Sequence, residues 1–293
     1  MMLNGFILIN KEKGISSSKV DFKIKKILDL KKVGHLGTLD PLAEGLLVVG
    51  INRATKTFKY FDDLDKEYIL RLRVGDTSDS LDYEKEISSH IDTNLLGREE
   101  YIDNELKKWI SIYNQYPPIY SSIKVSGKKL YDYALKGIDV DINPRKVEIY
   151  DIRRISDIEV INNSSFFDIY MHVSKGFYVR SFAKEFCESI NTIGMADSIK
   201  RIGVGKFKLE DSYTIEFVEN GNYKIINPLN YLDYKIIKID KETYKKVLTG
   251  SQLKFDFIQE FIILEFDNKF VAIYKYDKDL NIYRIDLLLD VWK

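Results

Sequence analysis

Apolar residues recur along the chain with two different periods. In KEYILRLRVG, Tyr68, Leu70, Leu72 and Val74 alternate with Ile69, Arg71 and Arg73, the period of a strand with one face buried. From Lys19 to Leu30, Val20, Ile24, Ile27 and Leu28 recur at helical spacing while Lys19, Lys23 and Lys26 fall on another face. This predicts an amphipathic helix with a basic side, and the serines just ahead of it are N-cap candidates. Phe6 to Ile9 and the run LLVVG predict short strands, ATKTFKYF and Glu99 to Tyr113 predict helices, and residues 147 to 173 read as two strands separated by NNSS. In VSKGFYVRSFAKEFCESI a strand end and a glycine turn lead into a helix whose buried stripe is Val179, Phe182, Ala183, Phe186 and Ile190. Strands and helices mix without a regular βαβ beat, so the expected class is α+β rather than a doubly wound sheet. Beyond residue 228 the texture changes to short aromatic and apolar strands, FIILEF, FVAIYKY and IYRIDLLLD. A domain boundary is placed there.

Composition narrows the function classes. With 293 residues, 45% apolar and 31% charged, the chain reads as globular, and it has no apolar run of the roughly 20 residues that span a bilayer. The N-terminus lacks the charged lead and apolar length of a signal peptide, so a cytoplasmic protein is expected. The single cysteine, Cys187, excludes an intramolecular disulfide, and at helical spacing beside Phe186 and Ile190 it reads as half-buried and inert. Three scattered histidines make no zinc-type cluster. Net charge is zero, yet residues 1–60 carry eleven Lys/Arg against five Asp/Glu, residues 61–110 seven against fourteen, and residues 171–208 seven against three. If the basic segments meet in space, the molecule has a basic face suited to a polyanion. Lysines that merely solvate helix faces are the competing account.

The stretch GHLGTLDPLAEG, residues 34–45, concentrates the candidate chemistry. Glycines permit positive φ, and Pro41 restricts the aspartate before it to extended backbone. As a phosphate loop it is poor, because Asp40 would repel the anion. As a metal site, His35, Asp40 and Glu44 lack a second ligand cluster. A carboxylate acting as nucleophile or general base fits best, although an Asx turn at Asp40 stays open on these residues alone. Arg180 falls near a predicted helix N-terminus, where the macrodipole disfavours a cation. That placement calls for a carboxylate partner, with an arginine reaching water as the alternative. Tyr68 is either a core residue or a platform for stacking.

Six segments in order carry a family resemblance. GHLGTLDPLAEGLLVV resembles the catalytic motif of the bacterial TruB-type tRNA pseudouridine synthases, and GFILINKEKGISSSKV their N-terminal segment, with Glu12 in place of a proline. KEYILRLRVGDTSDSLD resembles their Lys-x-Tyr strand and following turn, with Ser78 and Ser80 replacing threonines. QYPPIYSSIKVSGKKLYDYALKG, residues about 114–137, resembles their thumb-like RNA-binding segment, SKGFYVRSFAKEF their Gly-x-Tyr-(Ile/Val)-Arg-Ser motif, and IKRIGVGKF their Leu-Arg-Arg segment, with Ile199 for leucine. The resemblance implies a pseudouridine synthase fold over residues 1–228, a mixed and largely antiparallel sheet with flanking helices. It implies a small β-rich PUA-like domain over 229–293.

By the same resemblance the substrate is tRNA, bound by its T-arm, and uridine 55 of the T-loop becomes pseudouridine by base flipping, with assistance to tRNA folding as a possible accompaniment. No cofactor, metal, membrane or obligate protein partner is implied, and a monomer is expected. Asp40 takes the part of nucleophile and Arg180 that of its ion-pair partner. Tyr68 would stack on the flipped uracil, His35 would support the remodelled loop, and Tyr178 and Ile199 would line the pocket. Lys11, Lys13, Lys124, Lys128, Lys129 and Lys175 are candidates for contacts to the RNA backbone.

Overall fold

A computed structural model describes residues 4–289 apart from positions 122, 126 and 139. Strand β1 (Gly5–Lys11) leads to helix α1 (Ser17–Ile27), whose N-cap Ser16 accepts a hydrogen bond from the Lys19 N–H. Val20 and Ile24 are buried and Lys19, Lys23 and Lys26 exposed, so the helix has the basic outer side its spacing predicts. Strands β2 (Val33–Leu36) and β3 (Glu44–Ile51) form an antiparallel pair around the loop rich in glycine. The expected α-helix in ATKTFKYF is instead a 3-10 helix over Asn52–Tyr60. The hydroxyls of Thr55 and Thr57 donate to the carbonyls of Asn52 and Ala54, three residues back, and such local bonds compete with α-helical pairing.

Strand β4 (Lys66–Val74) shows the predicted alternation, with Tyr68, Leu70, Leu72 and Val74 all buried. The hairpin of β5 (Asp76–Ser78) and β6 (Ile87–His90) precedes helix α2 (Glu99–Lys107). This helix stops short of the expected Tyr113, because the backbone from Ile112 pairs with a neighbouring strand as β7 (Ile112–Gln115). Residues 114–137 contain the short strands β8 (Lys124–Val125) and β9 (Lys128–Lys129) and helix α3 (Leu130–Ala134).

Three strands stand where two were expected: β10 (Arg145–Arg154), β11 (Glu159–Ile161) and β12 (Ser164–Val173). Asn162 and Asn163, both at positive φ, make the two-residue turn between the last two. Helix α4 (Val179–Ser189) follows, then β13 (Gly194–Val204), β14 (Phe207–Lys208) and helix α5 (Ile215–Glu219).

Among the described residues ten strands share one sheet, with β1-β3-β13-β4-β12-β10-β7 as its main path. Its pairings are antiparallel except β3 with β13, so the α+β class with a mixed, largely antiparallel sheet holds. Leu70, Leu72 and Ile199 face Phe182, Ala183 and Phe186 of α4 and Ile102 of α2 in one core. A second cluster seats α1 and α5 on β1 and β3. The basic N-terminal segment and the basic strand β13 are therefore neighbours.

A separate sheet holds β15 (Lys235–Lys238), β16 (Phe261–Phe266), β17 (Lys269–Asp277) and β18 (Ile282–Leu288), with α6 (Lys241–Leu248) between the first two. Leu229 packs with Ile263, Ile273 and Leu289, and both Tyr60 and Lys59 reach Asp286. Among the described residues no helix is long and apolar enough to cross a membrane.

Candidate active site

The loop between β2 and β3 is fastened from beneath. Ser17, the first residue of α1 and almost wholly buried, donates its hydroxyl to the Leu39 carbonyl at 2.8 Å and accepts from the Leu39 N–H at 2.9 Å. The ammonium of Lys11 is also buried, donating to the carbonyls of Glu12, Ile15 and Pro41 at 3.0, 2.7 and 3.2 Å. Burial lowers its pKa to about 8, against the pull of the nearby Asp40 carboxylate. At the loop's far end Gly45 has φ +100°, and a Cβ there would stand 2.3 Å from the Arg201 carbonyl oxygen. This glycine makes room for the protein's own strand β13.

Asp40 thus projects from a backbone clamped on both sides, and its carboxylate meets the Arg180 guanidinium at 2.8 Å. Arg180 sits in the first turn of α4, buried, and spends its other donors inward. Nη1 donates to the Ser80 carbonyl at 2.8 Å and lies 3.4 Å from Asp82 Oδ2, while Nη2 donates to the Tyr120 carbonyl at 2.8 Å. Asp82 is itself buried and held by Ser80 Oγ and the Glu84 N–H at 2.7 and 2.9 Å. The arginine is fixed by both carboxylates and two carbonyls, which explains how a helix N-terminus tolerates it.

Asp40 opens on a cavity of about 270 Å³ whose walls include Tyr68, Lys66, Tyr178, Ile199 and Arg201. Tyr68 and Arg201 are cross-strand neighbours, as are Leu70 and Ile199. Tyr178 caps α4, with its N–H and carbonyl both bonded to the Gln115 side chain. Burial raises the pKa of its phenol. Arg201 is fully buried and donates to the carbonyls of Leu46 and Gly37, both at 2.8 Å. The cavity therefore offers a carboxylate, two phenols and an apolar wall on rigid strands, enough to grip a planar ring beside a fixed acid group.

The TruB family pseudouridylate synthase N-terminal domain matches residues 25–179, more than half of the chain. The chain belongs to the TruB family. The protein named tRNA pseudouridine synthase B in Mycoplasma mycoides is 36% identical over 290 residues, covering 97% of both chains. That of Borreliella burgdorferi is 36% identical over 90% of this chain and 92% of its own, and that of Lactobacillus johnsonii 31% identical over 98% and 99%. Among solved structures, an H/ACA RNP bound to a substrate RNA containing 2′-deoxyuridine aligns at TM-score 0.65 and 20% identity over 97% of this chain and 83% of that one. A Cbf5–Nop10–Gar1 complex aligns at 0.63 and 20%, over 92% and 78%. These two show a shared fold.

In this TruB-family chain Asp40, Tyr68, Tyr178, Ile199 and Arg180 converge, the first four on the cavity and Arg180 behind Asp40. His35 stands on β2, its Nδ1 2.7 Å from Asp21 of α1 and its Nε2 3.1 Å from the Thr38 hydroxyl. It reaches the site through Thr38, which does line the cavity. Glu44 faces Lys200 at 3.5 Å.

The lysines divide. Lys11 is a correction, because an ammonium already committed to three carbonyls in the interior is closed to phosphate. Lys13 is exposed above the Tyr83 ring, Lys128 is exposed, and Lys175 pairs with Asp63. The side chains of Lys124 and Lys129 lie outside the described residues. Cys187 is fully rather than half buried, and burial pushes its thiol pKa up. Among the described residues no group of three or more His, Cys, Asp or Glu is placed to hold a metal ion.

Sequence reasoning missed Ser17, Lys66, Asp82 and Arg201. Lys66 shares the strand face of Tyr68, two residues away, and that parity was an available signal. Asp82 and Ser17 lie within the motif segments, but nothing local points to their partners, which are far away in the chain.

Proposed function

We propose that this protein isomerises uridine to pseudouridine in tRNA, with Asp40 as the carboxylate that acts on the nucleoside. The observation that carries the reading is Asp40 itself, the cavity's acidic group, aimed by a buried arginine and faced by two tyrosines. Ribose C1′ moves from N1 to C5 of one uracil. The N1–C1′ bond breaks, C5–C1′ forms, C5 loses a proton and N1 gains one, so no oxidant, reductant or energy source enters.

The uracil reaches Asp40 only after leaving its stack, at a cost of a few kcal/mol that protein contacts offset. Tyr68 gives a ring against which it lies, and Ile199 and Tyr178 close the pocket. Arg180 holds the Asp40 carboxylate in one orientation, which a nucleophile needs.

The finer reading is uridine 55 in the T-arm, supported by the six ordered motifs and by relatives named tRNA pseudouridine synthase B. The thumb-like segment 114–137 would grip the RNA, with Lys13 and Lys128 on its backbone. Residues 229–293 would act as a small PUA-like domain that extends the footprint. The chain would work alone, as a monomer, in the cytoplasm where tRNA is its substrate. The test is to incubate the purified protein with unmodified bulk tRNA and map pseudouridine by position. Conversion at T-loop uridine 55 is expected; conversion elsewhere alone would refute the finer reading, and none at all would refute the coarser one.

A further inference from the structure

Lys66 opens β4 at the cavity wall, two residues before Tyr68 on the same face of the strand. Its surroundings set it apart from other basic groups near the site. Arg180 is matched by Asp40 and Asp82, Arg201 by the carbonyls of Leu46 and Gly37, Lys200 by Glu44 and Lys175 by Asp63. The Lys66 ammonium donates to the Leu64 carbonyl, and among the described residues no carboxylate lies within ion-pairing distance of it. Its two sequence neighbours are engaged elsewhere, Asp65 with His172 and Glu67 with Lys208. An ammonium has three donors, so two remain for the cavity.

Keeping such a group in a half-buried place is unfavourable without an anion. Burial, and then the Arg201 charge, lower its pKa to about 8, while Asp65 and Asp63 oppose the shift and Lys175 adds to it. An arriving anion would relieve that strain. Geometry limits which anion. Residues two apart on a strand are about 7 Å apart along it, so a base lying on Tyr68 brings its own sugar–phosphate within the reach of a lysine side chain based at Lys66.

We propose that Lys66 binds a phosphate flanking the extruded uridine, anchoring the flipped nucleotide by its backbone while Tyr68 holds its base. The assignment rests on the proposed function of the same site. It divides the work of the cavity in two, a cationic end for the backbone and Asp40 for the glycosidic bond. Because a phosphate is common to every nucleotide, Lys66 supplies affinity for the flipped state without selecting the base.

The experiment uses a T-arm stem-loop RNA with a single neutral methylphosphonate 5′ or 3′ of the target uridine, alongside the all-phosphate RNA. Binding constants are measured for the unaltered protein, Lys66→Met and Lys66→Arg. The unaltered protein should lose about tenfold in affinity for one of the two methylphosphonate RNAs, the scale of one charge-assisted hydrogen bond. Lys66→Met should lose about as much on the all-phosphate RNA and nothing further on that methylphosphonate RNA, and Lys66→Arg should recover most of the loss.

Indifference of the unaltered protein to both neutral positions would overturn the assignment, and this arm needs no variant to fold. Additive losses in Lys66→Met at both positions would overturn it too. Turnover of the all-phosphate RNA by the unaltered protein decides the underlying reading separately.

Discussion

Arg180 and Asp40 meet at 2.8 Å across a gradient of exposure, the arginine side chain 3% exposed and the aspartate 41%. One end of the ion pair is therefore an interior anchor and the other faces the cavity. Asp82, 7% exposed, closes the anchor from behind. Arg180→Met would leave Asp82 buried beside no cation, and breaking a buried pair in this way costs about 3–5 kcal/mol. The expected outcome is a lower thermal midpoint and a fall of about a hundredfold or more in single-turnover rate. Arg180→Lys should regain stability more than rate, because a point charge cannot satisfy two carboxylates and two carbonyls in fixed directions.

Ser17→Ala tests whether loop fixation matters to the chemistry. It orphans both the N–H and the carbonyl of Leu39, next to Asp40, and unmet buried groups cost about 1–3 kcal/mol. A loss of that size in chemical denaturation is expected, with the turnover rate down about tenfold and the apparent affinity for RNA little changed.

Gly45→Ala places a methyl group against the Arg201 carbonyl at positive φ. Strain at such a backbone costs about 1–3 kcal/mol before any clash, so the denaturation midpoint should fall well beyond the effect of Gly14→Ala. Gly14 is also at positive φ, but nothing stands within 4 Å of its missing Cβ.

His90 gives a pH dependence of stability. Its Nδ1 lies 2.7 Å from buried Asp76 and its Nε2 2.9 Å from Asp92, and the hydrogen bonds to Asp76 and then Asp92 raise its pKa. A raised folded-state value means stability fully present below the unfolded value of about 6.5 and lost as pH rises through the folded one. The difference in thermal midpoint between the protein and His90→Gln should therefore be largest near pH 5.5 and shrink by pH 8.5. A difference independent of pH would contradict the ion-pair account.

What could be read beforehand follows from where each signal resides. β4 was legible because one face is core and the other holds Arg71 and Arg73, so burial imprinted a period of two. β13, the strand that carries Ile199 and Arg201, was not recognised. It is bulged between Ala196 and Ser198 and again between Arg201 and Gly203, and each bulge resets the alternation. The pairing of Asp40 with Arg180 was legible because proline, glycine and a helix start restrict both locally. Lys11 was misread, since its charge suggested the surface while its role is to bond three carbonyls under the loop. Contacts made between distant segments leave no local pattern, and that is why Ser17 and Asp82 escaped notice.

The central claim is that the Asp40 carboxylate performs the chemistry. Release of tritium from C5-labelled uridine in a T-arm RNA, followed in a single turnover with excess protein, measures this most directly when Asp40→Asn is compared with the unaltered protein at matched RNA binding. The account predicts that Asp40→Asn binds the RNA and releases no tritium above the protein-free background. Release at the unaltered rate by Asp40→Asn would contradict it.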